Sequence, residues 1–323
     1  MVKKTIWSVS FLLVLITMIA GRSAEPAPLK LNIMALSGTT GLSLVKVLAD
    51  RPVLGPGVEA EYTVLKSPDQ MMAKIITGEA DIAALPTNTA AILYNKGVPI
   101  RLAAITNWGV LYVVGTEQNL RTWSDLKGKE IGLSGRGATP EILFRYFLQV
   151  AGVDPERELN LRYFSSPVEL AQVLLAERIS LAVLPEPWVT EVIMRNPRYR
   201  ILLDFQAEWQ RVEKRRESYP QSCLVVKADL AAARPEVVKE FLRQAALSGA
   251  WVNRYPAEAG KLAEEYVQIS AAAAREAIPR CNLRFGEAGA VKDEVDLYLR
   301  RLYGFDPESV GGKVPDAGFY WPR

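Results

Sequence analysis

The feature that most constrains the fold is one pattern of residues that occurs in both halves of the chain. Residues Ser67–Pro86 read SPDQMMAKIITGEADIAALP, and residues Ser166–Pro185 read SPVELAQVLLAERISLAVLP. The two segments align without a gap. Each has a Ser-Pro start, a helix-forming stretch, a short polar break, an apolar strand and a final Leu-Pro. A helix followed by an apolar strand is typical of α/β units, so the repeat predicts two similarly built α/β lobes.

A second matching pair lies upstream of the two repeats. The apolar strand Leu31–Leu36 runs into the turn Ser37–Gly41, and the strand Glu130–Leu133 runs into the turn Ser134–Thr139. Both strands close with Leu-Ser-Gly, and apolar residues at helical spacing follow both turns. Strands that alternate with helices in this way form mostly parallel sheets with helices on both faces.

The chain continues well beyond the second repeat. The apolar run Cys223–Val226 predicts a strand that returns to the first lobe. The tail Gly311–Arg323 is rich in Gly, Pro and aromatic residues and is expected to pack as an irregular arm. Four helical segments are predicted between them: Ala228–Tyr255, Ala257–Val267, Ala271–Ile278 and Gly289–Leu302.

The N-terminus has the composition of a secretory signal peptide. Lys3 and Lys4 precede an apolar run from Ile6 to Ala20, and small residues follow it. A membrane span needs about 20 apolar residues, and this run is shorter. We therefore expect residues 1–23 to be removed by cleavage after Ser23. The mature protein is then expected in the periplasm without a lipid anchor, because no cysteine directly follows the apolar run.

Charge and rare residues exclude several classes of function. The chain has 39 basic and 36 acidic residues, and three of the basic residues lie in the predicted signal peptide. The mature protein would be neutral, so a nucleic-acid-binding surface is not supported. The chain contains no histidine, which excludes Ser-His-Asp and Cys-His nucleophiles and the commonest metal ligand. Cys223 and Cys281 could form one disulfide or stay separate buried thiols, and their spacing does not decide.

Four turns are expected to form a binding cleft. In open α/β sheets, ligands bind beyond the carboxyl ends of the strands. If the two halves face each other, this rule brings two turns from each half into one cleft. These turns are Ser37–Gly41, Pro86–Thr89, Ser134–Thr139 and Pro185–Trp188.

The first turn of each half suits a polar or anionic group. Both turns offer hydroxyls and backbone N–H groups just before a helix, where the helix dipole favours negative charge. Their glycines permit close approach, and Arg136 adds a planar fork of donors. The alternative is that both are ordinary turns and that Arg136 is a solvated surface charge. The candidate contacts are Ser37, Gly38, Thr39, Thr40, Ser134, Arg136, Gly137 and Thr139.

Aromatic and amide side chains are further candidates. Trp108, Trp188 and Trp209 could each stack on a flat ligand, and each could equally pack in the core. Asn88 and Asn107 could hydrogen-bond a ligand, with the same alternative.

Glu186 allows two interpretations. It could pair with a cation on the ligand, but a carboxylate at the start of a helix is the stronger interpretation, because the helix dipole favours it. The sequence contains no Walker phosphate loop, no zinc-like cluster and no carboxylate pair suited to acid–base work. No metal, cofactor or catalytic residue is therefore expected.

Three segments identify a family resemblance. They are Gly78–Ala83 (GEADIA) with the following Pro86, Trp123–Lys129 (WSDLKGK), and Ala182–Trp188, which ends in Pro-Glu-Pro-Trp. In these segments the chain resembles the ABC-transporter substrate-binding proteins of the nitrate, taurine, alkanesulfonate and thiamine-precursor type. The resemblance covers roughly residues 30 to 250.

The resemblance implies a two-lobed periplasmic binding protein fold, type II-like, with the second lobe inserted in the first. The first lobe would comprise residues 29–115 and 219–323, and the second lobe residues 116–205. Hinge crossings would lie near residues 115–122 and 205–219. A ligand would close the lobes, and the closed monomer would dock on a permease with its ATPase.

The expected function is capture of a small organic molecule with a planar or anionic portion, without catalysis. A second cation that matches Arg136 is not evident in the first lobe, which counts against nitrate or a simple sulfonate. Two alternatives remain: an uncharged heteroaromatic, vitamin-like ligand held by tryptophans, and a lyase or dehydratase of a small acid on the same fold. The resemblance places ligand contacts at Ser37, Thr39, Thr40, Asn88, Trp108, Ser134, Arg136, Thr139 and Glu186.

Overall fold

The computed structural model describes residues 28–322. The predicted signal peptide and its cleavage site lie outside these residues. The described part of the chain forms eleven strands: β1 Leu29–Leu36, β2 Val58–Leu65, β3 Ile82–Pro86, β4 Ile100–Trp108, β5 Leu111–Gly115, β6 Glu130–Ser134, β7 Asn160–Phe164, β8 Leu181–Pro185, β9 Arg200–Asp204, β10 Pro220–Lys227 and β11 Leu283–Glu287.

Helices connect these strands. Between residues 28 and 322, no helix has both the length and the apolar character that crossing a membrane requires. The α-helices are α1 Thr39–Leu42, α2 Val45–Asp50, α3 Pro68–Ile76, α4 Thr87–Asn95, α5 Thr139–Val150, α6 Pro155–Glu158, α7 Pro167–Leu175, α8 Trp188–Arg195, α9 Phe205–Glu213, α10 Ala228–Ala233, α11 Pro235–Arg254, α12 Pro256–Val267, α13 Ala271–Ala277 and α14 Lys292–Phe305. Short 3₁₀ segments lie at Trp123–Leu126, Ile278–Arg280, Pro307–Val310 and Ala317–Phe319.

The structure confirms the predicted repeat. Helices α3 and α7 have nine residues each and begin at the proline of the Ser-Pro pair. The serine caps the helix in both cases, because Ser67 accepts a hydrogen bond from the N–H of Asp69 and Ser166 accepts one from the N–H of Glu169. The apolar strands that follow, β3 and β8, are five residues long and end at the matching prolines.

The strands form two sheets of similar plan. The first sheet has the order β11-β4-β10-β3-β1-β2, and the second has the order β7-β6-β8-β5-β9. In the first sheet β1 runs parallel to β2 and β3, and β10 is inserted antiparallel between β3 and β4. In the second sheet β6 runs parallel to β7 and β8, and β5 is antiparallel between β8 and β9. The two predicted α/β lobes are therefore confirmed.

The first crossing between the sheets lies earlier than predicted. We expected residues up to Gly115 to belong to the first lobe, but β5 pairs with β8 and β9 of the second sheet, so this boundary was wrong. The chain crosses at Gly109, between β4 and β5, and returns through residues 214–219. A Cβ on Gly109 would lie 2.6 Å from the Tyr219 ring and 2.7 Å from Gln206 Oε1, so only glycine fits this crossing. The sequence hides the crossing because the short polar break at Thr106-Asn107 does not distinguish a turn within one sheet from a passage to another sheet.

The two lobes share one apolar core. Leu85 and Val225 of the first sheet belong to the same continuous cluster of buried side chains as Val113 and Val183 of the second sheet. A continuous set of buried apolar side chains therefore joins the two lobes, in addition to the chain crossings.

The C-terminal segment returns to the first lobe. The helix expected over Ala228–Tyr255 is divided into α10 and α11, because Arg234 precedes Pro235 and leaves the helical conformation. The tail packs as the predicted irregular arm: Phe319 is buried, and the N–H of Trp321 donates to the carbonyl of Leu102.

Candidate functional site

The four predicted turns lie at the carboxyl ends of central strands of the two sheets. They follow β1 and β3 in the first lobe and β6 and β8 in the second. Two contacts join the second-lobe turns to the first lobe: the hydroxyls of Thr139 and Tyr298 are 2.9 Å apart, and Arg280 Nε donates to Glu186 Oε1 at 2.5 Å. The edge of the second sheet that carries the turns therefore faces the first lobe.

Side chains of neighbouring strands hold the first-lobe turn Ser37–Gly41 in position. Asn107 Nδ2 donates to the carbonyl of Thr39 at 2.9 Å, and the hydroxyls of Thr40 and Ser222 are 3.1 Å apart. Asn107, Thr40 and Ser222 are buried, whereas residues 37–39 are half-buried. Thr40 and Asn107 thus hold the turn in position, while residues 37–39 keep surface that a ligand can reach.

The matching second-lobe turn is held by an internal carboxylate. Gly135 and Gly137 have φ of +74° and +73°, a conformation that glycine adopts without strain, and the N–H of Gly137 donates to Glu141 Oε2 at 2.6 Å. Burial alone would raise the pKa of Glu141, but hydrogen bonds from Tyr163, Gly137 and a neighbouring arginine lower it below the usual range. The Arg136 side chain is exposed, with its guanidinium 4.3 Å from the centre of the Tyr163 ring. Arg136 therefore keeps its guanidinium at the surface, beside the face of the Tyr163 ring.

Glu186 occupies the start of α8 as an internal anion. It is 1% exposed and accepts hydrogen bonds from the Thr190 N–H at 3.1 Å, the Thr190 hydroxyl at 2.8 Å and Arg280 Nε. Burial raises the pKa of Glu186, although Arg280 and Thr190 oppose the shift. This geometry agrees with the carboxylate-at-helix-start interpretation, because these partners already occupy the oxygens of Glu186.

The other predicted polar residues use their side chains inside the protein. Asn88 Nδ2 donates to the carbonyl of Ser309 at 3.4 Å, and Thr139 bonds Tyr298 as described above. Ser134, at the end of β6, is buried. Asn88 and Thr139 are therefore bracing groups of the turns.

Two of the three candidate tryptophans lie in the core. Trp108 is 2% exposed, its Nε1 donates to the carbonyl of Arg284, and the guanidinium of Arg284 lies 4.1 Å from the centre of its ring. Trp209 is also 2% exposed and packs against tyrosines of both lobes. Trp188, at the start of α8, is half-buried and keeps some accessible surface.

Sequence reasoning missed three residues at this lobe interface. Ser222 had a usable signal, because it directly precedes a predicted strand, and an antiparallel strand begins at the edge where parallel ones end. Arg280 and Tyr298 had no such signal in the sequence. Arg280 contacts Glu186 and Tyr298 contacts Thr139, and both contacts join residues far apart in the chain.

Helix starts at the central turns lack the side-chain caps seen at the sheet edges. The serines cap α3 and α7, which follow the edge strands β2 and β7. No side chain caps α1, α4 or α5 at the N-cap position, and at α8 the carboxylate of Glu186 fills this role. The first N–H groups of a helix need partners from outside the helix, and an anion suits them.

Residues 28–322 contain neither a cluster of metal-ligating side chains nor a disulfide. Within residues 28–322, no group of three or more His, Cys, Asp or Glu side chains could hold a metal ion. Cys223 and Cys281 are fully buried and unjoined, which corresponds to the separate-thiol alternative. Burial raises the pKa of Cys223 to about 12, so its thiol is not ionised at neutral pH.

Comparisons with known proteins agree with this architecture. The model of a family described as ABC transporter, phosphonate, periplasmic substrate-binding protein matches residues 44–271. The crystal structure of an ABC transporter from Parabacteroides distasonis is 30% identical, covers 91% of this chain and 99% of its own, and has a TM-score of 0.79. No curated protein matches the chain.

Two more distant structures share the fold. The periplasmic aliphatic sulphonate binding protein SsuA from Escherichia coli is 14% identical over 92% of both chains, with a TM-score of 0.74. The periplasmic nitrate-binding protein NrtA from Synechocystis PCC 6803 is 12% identical over 88% of this chain and 85% of its own, with a TM-score of 0.65. The predicted resemblance and the two-lobed binding-protein fold are confirmed.

Proposed function

Because this chain belongs to the phosphonate periplasmic substrate-binding protein family of ABC transporters, we propose that it binds a small anionic molecule between its lobes and presents it to a permease and its ATPase. The names of the structural relatives, a sulphonate-binding and a nitrate-binding protein, support an anion. Binding without catalysis is the activity expected, in the periplasm and as a monomer.

The observation that carries this proposal is the set of uncapped helix starts at the central turns. Helices α1, α4 and α5 begin just after central strands, and no N-cap side chain accepts a hydrogen bond from their first-turn N–H groups. An anion there would accept these hydrogen bonds and interact favourably with the helix dipoles. At the fourth turn the protein supplies its own anion, Glu186.

The proposed contacts divide into ligand-facing and bracing groups. Residues 37–39 and the turn at Arg136 and Gly137 keep accessible surface and would bind the ligand, with Arg136 as the charged donor. Thr40, Asn107 and Asn88 would hold the turns in position. Glu186 and Arg280 would act together as a neutral pair that joins the lobes.

Lobe closure would follow from contacts that the ligand makes with both lobes at once. A ligand shifts the equilibrium toward the closed form only by its extra affinity for that form. Opening about the crossings at Gly109 and residues 214–219 would separate Thr139 from Tyr298 and Glu186 from Arg280. The ligand would therefore add to interactions that already favour contact between the lobes.

A thermal-shift panel followed by one substitution tests the proposal. We expect phosphonates, sulfonates or related oxyanions to raise the melting temperature, because a ligand at about 100 times its Kd adds about 2.7 kcal/mol of stability. Arg136→Ala should weaken the binding of the active compound about tenfold or more, since hydrogen bonds to charged groups contribute about 1.5–3 kcal/mol. Isothermal titration calorimetry measures this loss.

The matched control is Arg157→Ala, which removes an arginine that is 87% exposed on the same lobe. It should leave the affinity unchanged. Equal affinity of wild type and Arg136→Ala would contradict the anionic assignment. Stabilisation by uncharged heteroaromatic compounds alone would favour the alternative ligand class, and turnover of the bound compound would reject the receptor function.

A further inference from the structure

A groove separate from the cleft lies between α2 and α11 on the first lobe. Its volume is about 380 Å³, and its apolar lining is Val47, Pro52, Leu247, Ala250, Trp251 and Tyr255. Leu247 is 53% exposed and Tyr255 is 39% exposed, so the groove presents apolar surface to solvent. Clusters of exposed apolar side chains of this kind mark binding surfaces more often than single ones do. None of the turns proposed to bind the transported ligand contributes to it.

The rim of the groove has an excess of positive charge. Lys46 Nζ lies 5.1 Å from the centre of the Trp251 ring and is 2.7 Å from Asp50 Oδ1. The guanidinium of Arg254 lies 5.5 Å from the centre of the Tyr255 ring. The rim thus has two positive side chains and one carboxylate, and its net positive charge attracts an anionic group. The aromatic rings provide apolar surface against which the rest of a ligand can pack.

A buried hydroxyl also lines the groove. Ser248 is 2% exposed, and within residues 28–322 its Oγ finds no hydrogen-bond partner. A helical serine commonly bonds the carbonyl four residues earlier, and this one does not. The desolvation cost of the hydroxyl is therefore uncompensated in this conformation, and a ligand acceptor that displaced the side chains covering it would offset that cost.

We propose that this groove is a second binding site, for a small amphipathic anion with an aromatic or branched apolar body. Its volume lies in the usual range for small-molecule sites, about 300–1,000 Å³, and its lining combines apolar walls with a few polar groups, as such sites do. The apolar body packs against Trp251, and the anionic head lies toward Lys46 and Arg254. The site is independent of lobe closure and of the transported ligand.

The test uses 2-naphthoate as the probe and its uncharged amide as the comparison, measured by calorimetry on the mature protein. 2-Naphthoate should bind saturably at one site per chain, and 2-naphthamide about fivefold or more weakly. Ala250→Trp, which fills the groove from an exposed position on α11, should abolish binding. Lys46→Glu should weaken it about fivefold or more, and Ser248→Ala about threefold to tenfold. The melting temperature of each variant checks that it folds.

Arg136→Ala, the cleft variant, serves as the matched control and should bind 2-naphthoate like the wild type. Loss of binding in Arg136→Ala would overturn the proposal, because the probe would then occupy the cleft. Absence of saturable binding, or equal binding by Ala250→Trp, would also overturn it. A dimer in sedimentation that Ala250→Trp converts to monomer would assign the groove to a second copy of this chain instead.

Discussion

Replacing Trp209 by alanine should lower the free energy of unfolding by about 3–5 kcal/mol, the usual effect of truncating a buried tryptophan. The ring centre of Trp209 lies 6.2 Å from that of Tyr146 in the second lobe, and 5.8 Å and 6.1 Å from those of Tyr219 and Tyr298. Its loss would open a cavity where the two lobes share their core. Urea denaturation followed by circular dichroism measures the change.

The matched substitution Trp209→Phe keeps an aromatic ring and should cost clearly less than Trp209→Ala. The pair also separates two roles for this tryptophan. If Trp209 were a platform for a flat ligand, Trp209→Ala would lose affinity and keep its stability. That result would contradict the placement of Trp209 in the core.

Replacing Arg280 by methionine should lower the free energy of unfolding by about 2–4 kcal/mol. Removing one partner of a buried ion pair leaves an uncompensated charge, and here that charge is Glu186, which is 1% exposed. The expected loss of stability is smaller than the largest losses seen for fully buried ion pairs, because the Arg280 side chain is 36% exposed. Adding Glu186→Gln to Arg280→Met should restore much of the loss, because it removes the unpaired charge.

The control is Arg275→Met, which breaks an ion pair with Glu276 whose partners are both more than half exposed. It should change the stability by less than about 1 kcal/mol. An Arg280→Met variant as stable as Arg275→Met would contradict the structural role of the pair. So would a double variant that is no more stable than Arg280→Met alone.

The same pair predicts a pH dependence. Burial raises the pKa of Glu186 in the folded protein above its ordinary value of 4.5. At pH values between 4.5 and this raised pKa, the folded state therefore binds more protons than the unfolded state. Stability therefore falls as pH rises through this interval. Arg280→Met removes a group that lowers this pKa, so its deficit relative to wild type should grow as pH rises above the pKa of Glu186 in folded wild type, and shrink below that pKa.

Much of the fold could be predicted because it is encoded locally. The Ser-Pro starts and Leu-Pro ends of the two repeats mark helices and strands that the structure reproduces residue by residue. The crossing at Gly109 could not be located, because the short break Thr106–Gly109 is the same whether the next strand joins the same sheet or the other one. Only the pairing of β5 with β8 and β9 assigns it to the second lobe.

The site was predicted at the level of turns, and less well at the level of side chains. Polar residues at the ends of central strands were selected by a rule that needs only strand order and direction. The rule does not say whether a side chain faces the ligand or braces the turn. Asn107 holds the turn through Thr39, and Trp108 lies in the core against Arg284. Neither role could be assigned from the sequence, because both partners are distant along the chain. Arg280 was missed for the same reason.

A crystal structure of the protein with the oxyanion that stabilises it most would test the binding site directly. We expect the anion between the lobes, with its oxygens about 3 Å from the backbone N–H groups of Thr39 and Thr40 and of Arg136 and Thr139, and with the Arg136 guanidinium beside it. An anion bound elsewhere, with both of these turns unoccupied, would contradict the proposed function.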